Sequence, residues 1–231
     1  MRVDSVDRAE LLGFLKAYPG MKIVPGSYPF AVRGNFFFRA EFEGKLIEDQ
    51  FEIEMRFAKR FPGFLPSVFD ISNPKRIPDD EQHHLFTDGS FCLGSPIRLK
   101  RDVQTLENFT NRALIPYLFA ICLEERGEKR FQFGELDHGN KGLFSDYKQL
   151  FGLQTKKQVI QLLKALTLRK RIANKLPCPC GCKKRIGMCV FKQAIDQQRF
   201  MASRQWFQIH FEDIIKEEKV IRLLLENRMA Y

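Results

Sequence analysis

The sequence predicts an α+β domain over residues 1–150 and a helical, cysteine-rich extension over residues 151–231. Three patterns carry that prediction. Two apolar–polar alternations of period two flank a Gly turn between residues 35 and 57, a helical period runs from about 103 to 126, and four cysteines crowd into residues 178–189. With 231 residues, 44% of them hydrophobic and 23 of them Phe, the chain has ample apolar surface for a packed core.

The first element is a helix in SVDRAELLGFLKAYPG. Asp4 or Ser5 is placed to cap it, Leu11, Leu12, Phe14 and Leu15 give it an apolar side, and Pro19-Gly20 ends it. Next, Phe36, Phe38, Ala40 and Phe42 alternate with Phe37, Arg39 and Glu41. After a turn at Glu43-Gly44-Lys45, Phe51, Ile53, Met55 and Phe57 alternate with Glu52, Glu54 and Arg56. Such a pair is an antiparallel hairpin with one face in the core. Residues 28–33 and 67–71 add a strand each, making a four-stranded antiparallel meander.

Residues 71–91 are polar, rich in Pro and Asp, and aperiodic. A long irregular loop in a compact domain is usually functional. Helical spacing returns with Leu106, Phe109, Ala113, Tyr117 and Ile121, from a start at Asp102 or Thr105 and with a kink at Pro116. Cys122 falls on this apolar helix and reads as plain core. A short helix at 142–152, a basic-ended one at 155–175 and a long amphipathic segment at 191–228 complete the chain.

Net charge is +10, from 38 Lys+Arg against 28 Asp+Glu, which favours an acidic partner, whether a protein face or nucleic acid. No window approaches eighteen uninterrupted apolar residues, and MRVDSVDRAELL lacks an apolar signal core. The expectation is a cytoplasmic protein without a membrane span, in a reducing setting where clustered cysteines hold metal rather than pair as disulfides.

Residues 83–94, HHLFTDGSFCLG, leave three roles open for Cys92: nucleophile, metal ligand, or small core residue. A turn at Asp88-Gly89, a permissive Gly94 and the polar Ser90 suit a thiol exposed to substrate with backbone N–H groups lining the approach.

In order, the chain has an amino-terminal helix, a meander, the stretch FPGFLPSVF, an irregular loop ending in DGSFCL, and a crossover helix. This resembles the ubiquitin-conjugating enzyme domain, with its Tyr-Pro-x-x-Pro-Pro, His-Pro-Asn and Asn-Gly-x-x-Cys-Leu motifs. The resemblance implies that Cys92 carries a protein carboxyl terminus as a thioester and passes it to an amine acceptor. The family's Asn lies eight residues before its cysteine; His84 stands there, beside His83, so the His-Pro-Asn triplet is absent. A histidine in that place is suited to steadying an oxyanion or taking a proton from the amine. Asp88 is expected to orient His84 or to act on an approaching lysine.

These departures fit a bacterial relative of the type found in CBASS antiphage operons. There the resemblance implies a partner, a cyclic-oligonucleotide synthase, whose carboxyl terminus is joined to an acceptor protein. LPCPCGCKKRIGMCVFK resembles the SEC-C zinc motif, with Cys178, Cys180, Gly181 and Cys189 in place. Cys182 occupies the motif's Ser position and Val190 that of its fourth ligand, which leaves Cys182 or His138 to complete a structural zinc site. Two alternatives to the transferase remain. One is an inactive binding module that grips an acidic protein or nucleic acid through its basic zinc-motif region; the other is a cysteine hydrolase using Cys92 and His84.

Overall fold

The computed structural model describes residues 5–79, 83–128, 139–212 and 214–216. The chain divides into two compact units, 1–135 and 136–231, so the division falls ahead of the boundary expected at 150 and the helix at 139–151 belongs to the second unit. Among the described residues no helix is long and apolar enough to cross a membrane.

The first unit is α+β. Helix α1 (Arg8–Ala17) is capped by Asp7, whose carboxylate accepts from the N–H groups of Ala9 and Glu10. Ser5 instead accepts the Phe61 N–H at its carbonyl, and Asp4 lies outside the described residues. Four strands follow as a meander in the order β1-β2-β3-β4: β1 (Met21–Ile23), β2 (Phe30–Phe42), β3 (Lys45–Phe57) and β4 (Ser67–Asp70). All neighbours are antiparallel.

The expected strand at 28–33 is the start of β2 itself, and the remaining strand is β1. Its three residues, MKI, are too short to show an alternation. Phe42 pairs with Lys45 across Glu43-Gly44, both with positive φ (50° and 76°), the combination a tight two-residue hairpin turn needs. Phe36, Phe38, Phe51, Ile53 and Met55 form the buried face, as the alternation predicts, while Phe37 is exposed. Phe14 and Tyr18 of α1 stack on Phe36, and Phe42 meets Phe119 edge-on.

Past the loop comes α2 (Pro96–Asp102), a helix without an apolar period long enough to announce itself. Lys100 anchors it: burial lowers the amine's pKa, and Nζ donates to the carbonyl of Pro62 at 2.6 Å. The next helix is interrupted rather than simply kinked. Thr105 caps α3 (Leu106–Phe109), residues Thr110–Leu114 form a π-turn, and α4 (Ile115–Glu125) continues. Pro116 lacks an N–H and crowds the preceding turn, so widening the ladder there accommodates its ring. Glu10 of α1 accepts the Leu106 N–H, satisfying an orphan donor of the helix start.

The second unit is helical: α5 (Gly139–Phe151), α6 (Lys156–Thr167), α7 (Lys170–Ala173), α8 (Lys192–Met201), then residues 204–212 and 214–216. The expected helix at 155–175 breaks after Thr167. Thr155 and Gln158 form a capping box at its start, while at its end Arg199 donates to the carbonyls of Ala165 and Leu168. The segment 191–228 also breaks, at Ala202-Ser203, and residues 217–228 lie outside the described residues.

Gly34 has φ 143°, and a Cβ there would meet the Gly20 carbonyl oxygen at 2.1 Å across the β1–β2 pair. Gly13 sits inside α1 with nothing within 4 Å of its hypothetical Cβ. Opposite outcomes follow in chemical denaturation. Gly34→Ala should destabilise by about 1–3 kcal/mol or more, whereas Gly13→Ala should stabilise by about 0.5–1 kcal/mol.

Candidate functional site

The loop after β4 begins with one carboxylate satisfying four donors. Asp70 Oδ1 accepts from the N–H and Oγ of Ser72 (2.9 and 2.5 Å), and Oδ2 from the N–H groups of Arg76 and Ile77 (both 2.8 Å). After residues 80–82, which lie outside the described residues, the chain folds into a small ladder beside β4. Phe91 donates its N–H to Val68 O (2.8 Å), Phe86 to Ser90 O (2.8 Å) and Cys92 to His84 O (2.7 Å). Asp88 Oδ1 accepts from the N–H and Oγ of Ser90 (3.0 and 2.6 Å), and Gly89 turns the chain at φ 79°. Ser90 holds the Asp88 carboxyl below its ordinary pKa. That carboxylate shapes the turn through Oδ1.

Phe91 is 3% exposed and stacks on Tyr117 of α4 at 4.8 Å between ring centroids. Tyr117 also donates its hydroxyl to His83 O at 2.7 Å. In an extended segment neighbouring side chains point opposite ways. With Phe91 inward, the alternation turns Cys92 toward the other side, and its side chain is half-buried where that of Phe91 is fully buried. Burial pushes its thiol pKa up, and the Gly94 N–H directed at the sulfur pulls the other way. His83 Nε2 lies 3.5 Å from the Glu124 carboxylate of α4. His84 has φ 52° and is joined to Cys92 through its main-chain carbonyl.

Two of the backbone donors flanking the thiol are already engaged elsewhere. The N–H groups of Phe91 and Cys92 are spent on carbonyls, and that of Gly94 is directed at the sulfur.

A second constellation escaped the sequence reading. Arg76 bonds Asp49 through Nη1 and Nη2 (3.0 and 2.7 Å) and Glu125 through Nε and Nη2 (2.8 and 2.6 Å), and its guanidinium lies 3.9 Å over the Phe51 ring. Cys122, 1% exposed, is more than core filler, because its Sγ donates to Asp49 Oδ2 at 3.3 Å. Burial, then that bond, pushes the thiol up to about 12. Asp49, Cys122 and Glu125 are close enough to hold a cation, but the guanidinium already takes both carboxylates. The legible signal was Asp49, a carboxylate on the inward stripe of β3 between Ile47 and Phe51.

In the second unit the four expected cysteines converge. The Sγ atoms of Cys178, Cys180, Cys182 and Cys189 all lie within 4.8 Å of one another, with 3.2 Å from 178 to 180, 3.7 Å from 180 to 189 and 3.6 Å from 182 to 189. Each accepts a backbone N–H from two residues onward: Cys180, Cys182, Lys184 and Phe191 in turn. Gly181 and Lys183, at φ 83° and 62°, turn the loop. Cys178 N–H to Lys184 O (2.8 Å) and Ile186 N–H to Leu176 O (2.9 Å) close its base. Four sulfurs so placed form a pocket for one metal ion. Cys182 thus completes the set, Val190 is exposed beside it, and His138 lies outside the described residues. No family model, curated protein or solved structure matches this chain.

Removing the guanidinium gives a pH-dependent loss. The Arg76 hydrogen bonds are the largest cause holding the Asp49 carboxyl below its usual range. Stabilisation from a depressed carboxyl is complete above its unfolded pKa of about 3.9 and is lost as pH falls through the folded value. Arg76→Met should therefore lower stability by about 1.5–3 kcal/mol at pH 6, and the gap from wild type should close below pH 4 in urea titrations.

Proposed function

We propose that the chain is a cysteine-dependent conjugating transferase of the ubiquitin-conjugating type, with Cys92 as the acyl carrier. The observation that carries this is the half-buried thiol beside the fully buried Phe91, with the Gly94 N–H directed at its sulfur. The Cys92 thiolate attacks the carbonyl of a protein carboxyl terminus already activated as a thioester. The new C–S bond forms, the donor's C–S bond breaks, and the donor leaves as thiolate. An acceptor amine then attacks the Cys92 thioester and loses its proton to a base, with the imidazoles of His84 and His83 as candidates. Cys92 departs as thiolate. The donor proposed is the carboxyl terminus of a cyclic-oligonucleotide synthase in a bacterial antiphage operon.

Incubation with a peptide carrying a carboxyl-terminal mercaptoethanesulfonate thioester tests the chemistry. A dithiothreitol-labile adduct should appear on non-reducing gels, discharge on adding free lysine, and vanish in Cys92→Ala. An adduct that survives that substitution, or none at all, defeats the proposal. A thiol whose pKa lies above its ordinary value is mostly protonated at neutrality. Adduct formation should therefore rise about tenfold per pH unit between pH 7 and 9, as the thiolate fraction does.

The four-cysteine pocket is proposed to hold structural zinc. A tetrahedral Zn–S₄ site with bonds of about 2.3 Å has S···S edges of about 3.8 Å; two of the separations here, 3.6 and 3.7 Å, are close to that, and the Cys178–Cys180 separation of 3.2 Å is shorter. Four protein ligands would leave no position for substrate. One equivalent of zinc should co-purify, measured by mass spectrometry. Stripping it with a strong chelator should lower the unfolding midpoint and leave Cys92 adduct formation intact.

A further inference from the structure

Residues 152–211 hold thirteen Lys and Arg but a single carboxylate, Asp196. Their net charge of +12 exceeds the chain's +10, so all other residues together sum to −2. Asp196 is paired with Lys170 at 2.8 Å, and Arg199 is turned inward onto α6 carbonyls. Arg169, Arg171, Lys175, Lys183, Lys184 and Arg185 are exposed.

The elements that carry these cations are joined to one another. Gly187 N–H to Asn174 O (3.0 Å) and Ile186 N–H to Leu176 O (2.9 Å) bind the cysteine loop to the end of α7. The Lys170–Asp196 pair fastens α7 to α8. On α8, Gln193, Gln197 and Phe200 fall at i, i+4 and i+7, one exposed stripe. The Phe200 ring is 93% exposed.

Cations alone would suit any polyanion. An uncovered phenyl in line with two carboxamides is more selective. Unpaired bases present π-faces on which such a ring stacks and donor–acceptor edges that amides read, both on one polyanionic strand. We propose that this surface binds single-stranded nucleic acid, the cations of α7 and the cysteine loop lying along phosphates and Phe200 under a base. The proposal is independent of Cys92 chemistry.

Fluorescence anisotropy of the full chain with a fluorescein-labelled 20-nucleotide mixed-sequence single strand, as RNA and as DNA, tests it. Log affinity should fall linearly with log salt. Joint charge reversal of Lys183, Lys184 and Arg185 should reduce that slope by about 2, since each single-strand phosphate contact contributes about 0.7. Phe200→Ala should weaken binding about tenfold at unchanged slope, and Phe200→Trp should restore it. Because the ring is solvent-exposed, the alanine variant tests contact rather than folding. Equal binding by wild type and Phe200→Ala would overturn the proposal. So would competition by poly-glutamate or phosphatidylglycerol vesicles as effective, charge for charge, as competition by the unlabelled strand.

Discussion

Where Cys92 points is decided by where Phe91 goes. A buried Phe contributes roughly 1.5–3 kcal/mol of transfer free energy, and this ring also stacks on Tyr117 while its N–H pairs with β4. A segment two residues wide has little else to fix its pleat. Were the register to slip by one residue, the thiol would enter the core and the phenyl would meet water. The same contact reaches His83, because Tyr117 holds that residue's carbonyl through its hydroxyl. One aromatic pair thus sets the sulfur's exposure and the local path of the histidine-bearing chain.

The loop around this pair is irregular yet well tethered, and charge is what tethers it. Asp70 gathers four donors that have no ladder to join. Arg76, fixed at its N–H by that carboxylate, sends its guanidinium back to β3 and α4. A polar segment of this length buries too few apolar groups to hold its shape through hydrophobic contact alone. Bonds to charged groups are individually stronger than neutral ones, and here they supply the missing constraint. Cys122 joins the same network through Asp49, so a residue that looks like core packing also donates to a carboxylate.

The hairpin was legible because period two over Phe36–Phe42 and Phe51–Phe57 has no helical equivalent, and the four cysteines because their crowding has few other uses. What the pattern concealed was short or composite. Strand β1 has three residues, and its place in the sheet follows from pairing with β2. The breaks within 103–126 and 155–175 preserve apolar spacing on both sides, so a stripe such as Leu106 to Ile121 passes through them unmarked. Asp88 was legible as a turn residue, but its partner was not. Ser90 lies two residues away and takes Oδ1 through both its N–H and its hydroxyl. Arg76 gave no local sign because its partners, Asp49 and Glu125, come from elements far apart in sequence.

The cysteine loop and the cations beside it bear on one another electrostatically. With zinc held by four thiolates, as proposed, the cage carries two net negative charges, and the backbone N–H groups two residues past each sulfur spread part of that charge onto the main chain. Lys183, Lys184 and Arg185 follow Cys182 directly, so three positive charges more than offset the cage. If balance were the run's only role, the remaining cations of α7 would have no need to adjoin it. Lys183 is held at φ 62°, a conformation a residue with a Cβ adopts only where its surroundings enforce it. With the sulfurs of Cys182 and Cys189 tied to a common zinc ion, as proposed, that conformation would be held in place along with the basic run that begins at Lys183.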